Sequence, residues 1–183
     1  MPQPPNTLEE FTQAVIQMSK AAKAALCAHQ GGPADSPPIV LWQSEKDLEI
    51  VALPMPSDTD EQLMAPRLFE TALREGFVQF GKPEFVAFIT EAYMKLGASP
   101  EEAMNTRRGD LQRRFQEEMD TTIEEIISIC TFSPSEVNHN IVIVRYGDDG
   151  MPEFVPFRKE EDAAMGGAIA DVVRDFMVLV NAG

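Results

Sequence analysis

The stretch TIEEIISICTFSPSEVNHNIVIVRYGDDGMPEFVPF, Thr122 to Phe157, decides the fold. Its β-branched and aromatic runs, separated by Ser/Pro and Gly/Asp clusters, predict consecutive strands at 123–132, 140–146 and 153–157. Pro152 and Pro156 cannot donate ladder hydrogen bonds, so we expect the last strand at a sheet edge. An amphipathic helix is predicted next, over 160–181. This order indicates an antiparallel sheet that needs a helical layer over one face.

The first helix is predicted over 8–29. Thr7 and Glu10 have the spacing of a capping box, with Glu10 placed to reach the Thr7 amide, and Gly31 is suited to end the helix. Apolar residues at helical spacing predict its buried face. They are Leu8, Phe11, Val15, Met18, Ala22 and Leu26.

The middle of the chain completes the predicted order of elements. Runs at 39–42 and 48–53 predict a hairpin, and a helix is predicted from near Ala65 to Gly76 or Gly81. The run 85–90 is apolar on both faces, which is typical of a central strand. A long connection with one or two helical turns follows, up to Asp120. The sequence therefore predicts one α+β domain over 1–183, with about six antiparallel or mixed strands and helices mainly on one face.

Charge is the unusual feature of the composition. The chain carries 30 acidic and 15 basic residues, a formal net charge of −15. Such a surface repels phosphate backbones and anionic lipids, so we expect neither direct nucleic-acid binding nor membrane binding. The charge serves solubility in one interpretation. In another, it imitates nucleic acid or binds a basic partner.

The two cysteines and the sequence ends favour a cytoplasmic protein. Cys27 and Cys130 have no CxxC spacing, and both fall in apolar patterns typical of free buried thiols. The first residues lack the basic and apolar regions of a signal peptide. The most apolar run, 163–182, is interrupted by Asp171, Arg174 and Asp175 and is too polar to span a bilayer.

Motifs for cofactor chemistry are weak or absent. His29 and His139 lack metal-ligand spacing, and His139 is predicted to be a solvated loop residue. The acidic stretch 58–61 lacks the glycine and terminal glutamate of a calcium loop. Phosphate-binding glycine motifs and a nucleophile elbow are also missing. We therefore expect no metal, no cofactor and no catalytic residue set.

One constellation suggests ligand binding. Along the strand from Phe85, alternation places Glu91 and Tyr93 on one face with apolar residues. A partly buried carboxylate needs a cation or several donors, and arginine supplies both charge and geometry. The hypothesis is a site for an anionic group. Its residues are Glu91, Tyr93, Arg107, Arg108, Arg113 and Arg114. In the alternative, Glu91 faces water at a strand end and the arginines lie on a solvated helical turn.

The same region resembles a known group of sequences. Glu91-Ala92-Tyr93, an arginine-rich link and Glu124-Glu125 before the next strand are similar to an uncharacterised group of bacterial and phage proteins. Those proteins carry a strand ending in Glu-Ala-aromatic, then a polar link with arginine and glutamate. The tyrosine and the long link depart from that pattern. The resemblance implies a fold neighbourhood and a bacterial or phage source, and it implies no function.

Three functions remain open at this stage. The leading expectation is a small non-catalytic accessory protein that binds a protein partner or forms a homodimer through the apolar stretch 176–180. The second is an anionic-ligand binding protein or hydrolase that uses Glu91 and the arginines. The third is an acidic inhibitor that occupies a nucleic-acid site on its target.

Overall fold

The β-rich segments pair into one six-stranded sheet in the computed structural model, which describes residues 5–44, 47–53, 61–99, 101–102, 106, 108–157 and 168–182. The elements in chain order are α1 (Leu8–Gln30), β1 (Ile39–Gln43), β2 (Leu48–Ala52), α2 (Glu61–Phe80), β3 (Phe85–Lys95), α3 (Arg108–Gln116), β4 (Ile123–Phe132), β5 (Val137–Tyr146), β6 (Pro152–Pro156) and α4 (Ala168–Ala182).

The strand order is β2-β1-β3-β4-β5-β6, and every neighbouring pair is antiparallel. The predicted α+β class and the six strands are therefore confirmed. Strand β3 is central, as its two apolar faces predicted, and its first five residues are buried. The proline-containing β6 lies at an edge and pairs only with β5. The register of β3 with β4 places Tyr93 opposite Glu125.

Helices cover both faces of the sheet, which corrects the prediction of helices mainly on one face. Trp42 of β1 lies in the core beneath α2 and α4. The preceding residue of the strand, Leu41, lies in the core beneath α1. Helix α3 packs on Tyr93 and Ile123, whose side chains point to the α1 side. The central strands carry large apolar side chains in both directions, so each face needs its own helical layer.

Helix α1 begins and ends close to the predicted residues, but a different face is buried. Its first turn is capped by Thr7, whose hydroxyl accepts from the Glu10 amide, and Gly31 ends it at φ 74°. The Glu10 carboxylate accepts from the Asn6 amide, not from Thr7 as predicted. Met18 is 37% exposed and Ala22 is also exposed, so that part of the predicted face is wrong. The buried residues are Leu8, Phe11, Thr12, Val15, Ser19, Lys23 and Cys27.

Several element boundaries differ from prediction. Helix α2 begins at Glu61, before the predicted start near Ala65, and ends at Phe80, directly before Gly81, whose φ of 81° suits glycine. Strand β3 continues to Lys95, beyond the predicted end at 90, because β4 pairs with it from Val86 to Lys95. Strand β5 begins at 137 rather than 140. The start of the last predicted helix and the acidic residues 58–60 lie outside the described residues.

Candidate functional site: a buried lysine–dicarboxylate cluster

Glu91 forms an ion pair with Lys23 of α1, between the helix and the sheet. The Lys23 ammonium lies 2.8 Å from Glu91 Oε2 and 2.9 Å from Glu125 Oε1. It also donates to the backbone oxygen of Ala34 at 2.5 Å. The ammonium has three protons and three acceptors, so its hydrogen-bonding capacity is filled. We call Lys23, Ser36, Glu91, Glu125 and Tyr146 the buried cluster.

The two carboxylates of the buried cluster are held by additional donors. Ser36 donates to Glu91 from its amide at 3.2 Å and from its hydroxyl at 2.5 Å. The Tyr146 hydroxyl donates to Glu125 Oε1 at 2.9 Å. The side chains of Lys23, Glu91 and Glu125 are only 1%, 4% and 5% exposed. The loop between α1 and β1 therefore closes over the charges and leaves them almost no water contact.

Opposing effects set the protonation of the buried cluster. Burial lowers the pKa of Lys23, but the hydrogen bonds and charges of Glu125 and Glu91 outweigh burial and hold that pKa above its ordinary value. Burial raises the pKa of Glu125, and the bonds from Lys23 and Tyr146 only partly oppose it. Burial also raises the pKa of the Tyr146 phenol, and the Glu125 charge adds to this effect. Lys23 is therefore charged at neutral pH, and Tyr146 is a neutral donor.

Two members of the buried cluster, Glu91 and Glu125, form with Asp35 the one group of possible metal ligands found among the described residues. Carboxylate oxygens of Asp35, Glu91 and Glu125 lie within 4.8 Å of one another. The Lys23 ammonium already binds two of these three carboxylates, and Asp35 is exposed at the rim. A lysine in this position supplies the positive charge that a metal ion would otherwise supply. The arrangement is that of an internal ion-pair network with a resident cation.

The other predicted ligand residues have partners of their own. Tyr93 is 8% exposed, packs on Phe115 at a ring distance of 5.4 Å and accepts from Gln116. Arg113 pairs with Glu118, and Arg114 donates to Asp120 Oδ2 at 2.6 Å from Nη2 and 3.1 Å from Nε.

Bonds from Thr122 and from Arg114 lower the pKa of Asp120 to about 2. Arg107 and the side chain of Arg108 lie outside the described residues. The structure thus brings Glu91 and Tyr93 to one sheet face and pairs Arg113 and Arg114 with acids close in sequence.

Sequence reasoning missed four members of the buried cluster: Lys23, Ser36, Glu125 and Tyr146. One signal was available for Lys23. Stepping by four from Phe11 through Val15 leads to Ser19, Lys23 and Cys27, which continue the buried face. A lysine on the apolar side of a helix is a reason to look for buried carboxylates, since unpaired buried charge is costly. Glu125 and Tyr146 carry no comparable local signal, because strand pairing alone brings them together.

The remaining candidate groups are a hydroxyl–imidazole pair and the thiols. Ser128 and His139 form a cross-strand contact at 2.9 Å on β4 and β5. His139 is exposed, as predicted, but lies in a strand rather than a loop. Both cysteines are free and buried, and burial raises the pKa of Cys130 to about 12. A thiol with such a pKa is a poor nucleophile at neutral pH.

An open groove lies at the end of the sheet near the β1–β2 turn. Its volume is about 590 Å³, and its lining includes Asp47, Phe80, Lys82 and Glu84. No ion pair joins the carboxylates of Asp47 and Glu84 to another described residue. This groove shares no residue with the buried cluster. Its two carboxylates and the single Lys82 give its lining a net negative charge.

Comparisons with protein families, with curated proteins and with solved structures give no match to this chain. The resemblance to the bacterial and phage group therefore stays an expectation. Within the part of the chain that the structure describes, no helix combines the length and the apolarity needed to cross a bilayer.

Proposed function

We propose that this chain is a small acidic accessory protein that acts without catalysis and binds a basic protein partner through its outer surface. The observation that carries this proposal is the closed state of the buried cluster. Its lysine and both carboxylates are satisfied by the chain itself and are at most 5% exposed. A ligand there would have to displace Ser36 and compete with Lys23 for the same oxygens.

The outer surface supports the proposal through its charge. Among the residues that the structure describes, seven basic side chains are held in ion pairs with acids of the same chain. They are Lys23, Arg74, Lys95, Arg113, Arg114, Arg145 and Arg174. Acids outnumber bases two to one, so the net potential at the surface is strongly negative. A negative surface accelerates encounter with a positive partner and disfavours acidic ones.

Partner capture from the native host, followed by salt titration, tests the proposal. The captured partner is identified by mass spectrometry. The affinity of the chain for this partner is expected to fall steeply between about 0.05 M and about 0.5 M salt, because screening weakens exposed charge pairs. The matched control is the triple variant Lys23→Met, Glu91→Gln, Glu125→Gln, which changes only the interior. Undiminished binding by this folded variant supports an exterior site. Loss of binding would favour the anionic-ligand or hydrolase alternative, which places the site at Glu91.

Helix α4 favours a second copy of the chain as an additional partner. Phe176 and Val180 are buried against the sheet, but Val178 is 68% and Leu179 40% exposed on the same helix. A stretch that is apolar around the whole helix exceeds what one sheet face requires. Sedimentation velocity at micromolar concentration is expected to give twice the mass of one chain. A single-chain mass would remove the homodimer from the proposal and leave the basic partner in place.

A further inference from the structure

The two edges of the sheet differ in how well they resist strand addition. Edge strand β6 contains Pro152 and Pro156, which lack backbone donors and discourage pairing. Edge strand β2 contains no proline, and two of its large side chains, Leu48 and Ile50, are 51% and 60% exposed. An edge with unblocked backbone and exposed apolar side chains is a template for another strand.

The hydrogen-bond pattern shows which β2 amides face outward. The Ser44 amide donates to Asp47 O at 3.0 Å, and the Leu53 amide donates to Pro38 O at 2.7 Å, both in the register of the β1–β2 pair. Hydrogen-bonded and non-hydrogen-bonded pairs alternate along an antiparallel ladder. Between these two pairs, residues 49 and 51 therefore bond to β1. The amides and carbonyls of residues 48, 50 and 52 point away from the sheet.

Charge selects the kind of strand that fits this edge. Residues 47–53, which the structure describes at this edge, carry Asp47 and Glu49 and no basic residue. The nearby groove adds Glu84 and one base, Lys82, so acids still outnumber bases here. A second copy of this chain would bring the same acids, and another net charge of −15, against this edge. An incoming strand with basic side chains beside apolar ones would neutralise the acids and cover the exposed apolar surface of β2.

We propose that the β2 edge binds an extended segment of the partner in which basic and apolar residues alternate, by adding that segment as a seventh strand. Main-chain bonds to residues 48, 50 and 52 provide affinity, and alternating side chains provide specificity. This inference rests on the proposed function, because it gives the basic partner a place to bind. It also predicts which backbone groups change on binding.

The probe is a capped synthetic peptide of alternating lysine and valine, nine residues long, added to the full chain. Amide exchange is followed by nuclear magnetic resonance. Protection is expected to rise at Leu48, Ile50 and Ala52, while Glu49 and Val51 are already bonded to β1 and serve as internal controls. A peptide with glutamate in place of lysine is expected not to bind. Protection at these amides that rises with protein concentration alone would identify a second copy as the occupant and overturn the basic-strand proposal.

Two variants at one position separate strand addition from simple charge attraction. Ile50→Pro removes an outward amide without breaking a bond to β1, and Ile50→Val keeps that amide and a β-branched side chain. Peptide affinity is expected to fall at least tenfold in Ile50→Pro and to change less than threefold in Ile50→Val. Equal affinities would overturn strand addition. If the natural partner still binds both variants with strong salt dependence, the proposed function stands and another acidic surface is its site.

Discussion

The buried cluster and the arginine-rich link, the segment between β3 and β4, contain similar residue types in opposite environments. In the buried cluster, Lys23 serves two carboxylates with its side chain 1% exposed. In the link, Arg113 pairs with Glu118, and both side chains are about half exposed, at 51% and 49%. The link is dense in charge along the sequence, whereas the buried cluster joins residues that are up to 123 positions apart. The density of charge in the sequence identified the link, whereas the sequence identified Glu91 of the buried cluster but not the residues that the fold brings to it.

The difference in burial decides what each group contributes. An exposed ion pair gains little, because water and salt screen it and side-chain entropy opposes it. A buried pair has a large desolvation cost, and removing one partner leaves the other charge unpaired in the low-dielectric interior of the protein. We therefore expect the buried cluster to determine whether α1 stays on the sheet. The arginine pairs are expected to affect the surface of the link and little else.

The largest predicted effect comes from Lys23→Met. This change leaves Glu91 and Glu125 buried without their cation, so we expect a loss of roughly 3–5 kcal/mol in the free energy of unfolding. Urea unfolding followed by circular dichroism measures it. Lys20→Met is the matched control one turn earlier, and Lys20 makes no ion pair with the described residues. If both variants lost the same free energy of unfolding, Lys23 would contribute no more to stability than a lysine on the helix surface.

Alkaline pH is expected to give the next largest effect. The folded-state pKa values of Lys23 and Tyr146 are raised above 10.5 and 10.0, their ordinary values. The stability linked to these groups is complete below those values and is lost as pH rises through the raised ones. The free energy of unfolding should therefore fall between about pH 10 and about pH 12, and less steeply in Lys23→Met. A free energy that is flat across this range would contradict the assignment.

An uncharged buried hydrogen bond between α1 and the sheet separates the effect of charge from that of burial. The Thr12 and Thr131 hydroxyls lie 2.6 Å apart between α1 and β4, and Thr12 also donates to Leu8 O at 2.7 Å. Thr131→Val removes one hydrogen bond and leaves the Thr12 donor satisfied, so we expect a cost of about 1 kcal/mol. A loss as large as that of Lys23→Met would show that burial, and not charge, governs the contact between α1 and the sheet.

The smallest effect is expected in the arginine-rich link. Arg113→Met breaks only an exposed pair, so we expect no more than about 1 kcal/mol, and less in high salt. Thermal unfolding at low and high ionic strength measures both. If this variant destabilised the protein as much as Lys23→Met and did so independently of salt, Arg113 would have to belong to a buried network.

The sequence predicts the elements well because their signals are local. The capping residues of α1, the glycines after α1 and α2 and the prolines of β6 each act within a few residues of their own position. Coverage of both sheet faces was missed, since Leu41 and Trp42 appear as one apolar run and their opposite directions matter only after the helices have docked. The buried face of α1 was misplaced for a related reason. Two of the buried positions in its second half, Ser19 and Lys23, are polar, and Lys23 has buried partners only after β3 and β4 supply Glu91 and Glu125.

The site was predictable only in part. Alternation along β3 correctly placed Glu91 and Tyr93 on one face, and the need of Glu91 for a cation was a sound inference. The cation was sought among nearby arginines, although strand pairing and helix docking bring Lys23 and Glu125 from distant segments. Pairings of this kind depend on register and docking geometry. They leave no pattern among neighbouring residues of one amino-acid sequence.

The most direct test of the account is the unfolding of Lys23→Met beside the triple variant Lys23→Met, Glu91→Gln, Glu125→Gln. If the buried cluster is a closed ion-pair network, the single change should be the more damaging, because it alone leaves unpaired charge inside the protein. The two glutamines still accept hydrogen bonds from Ser36 and Tyr146, so the triple variant should recover more than half of the lost free energy of unfolding. A triple variant less stable than Lys23→Met would contradict the account.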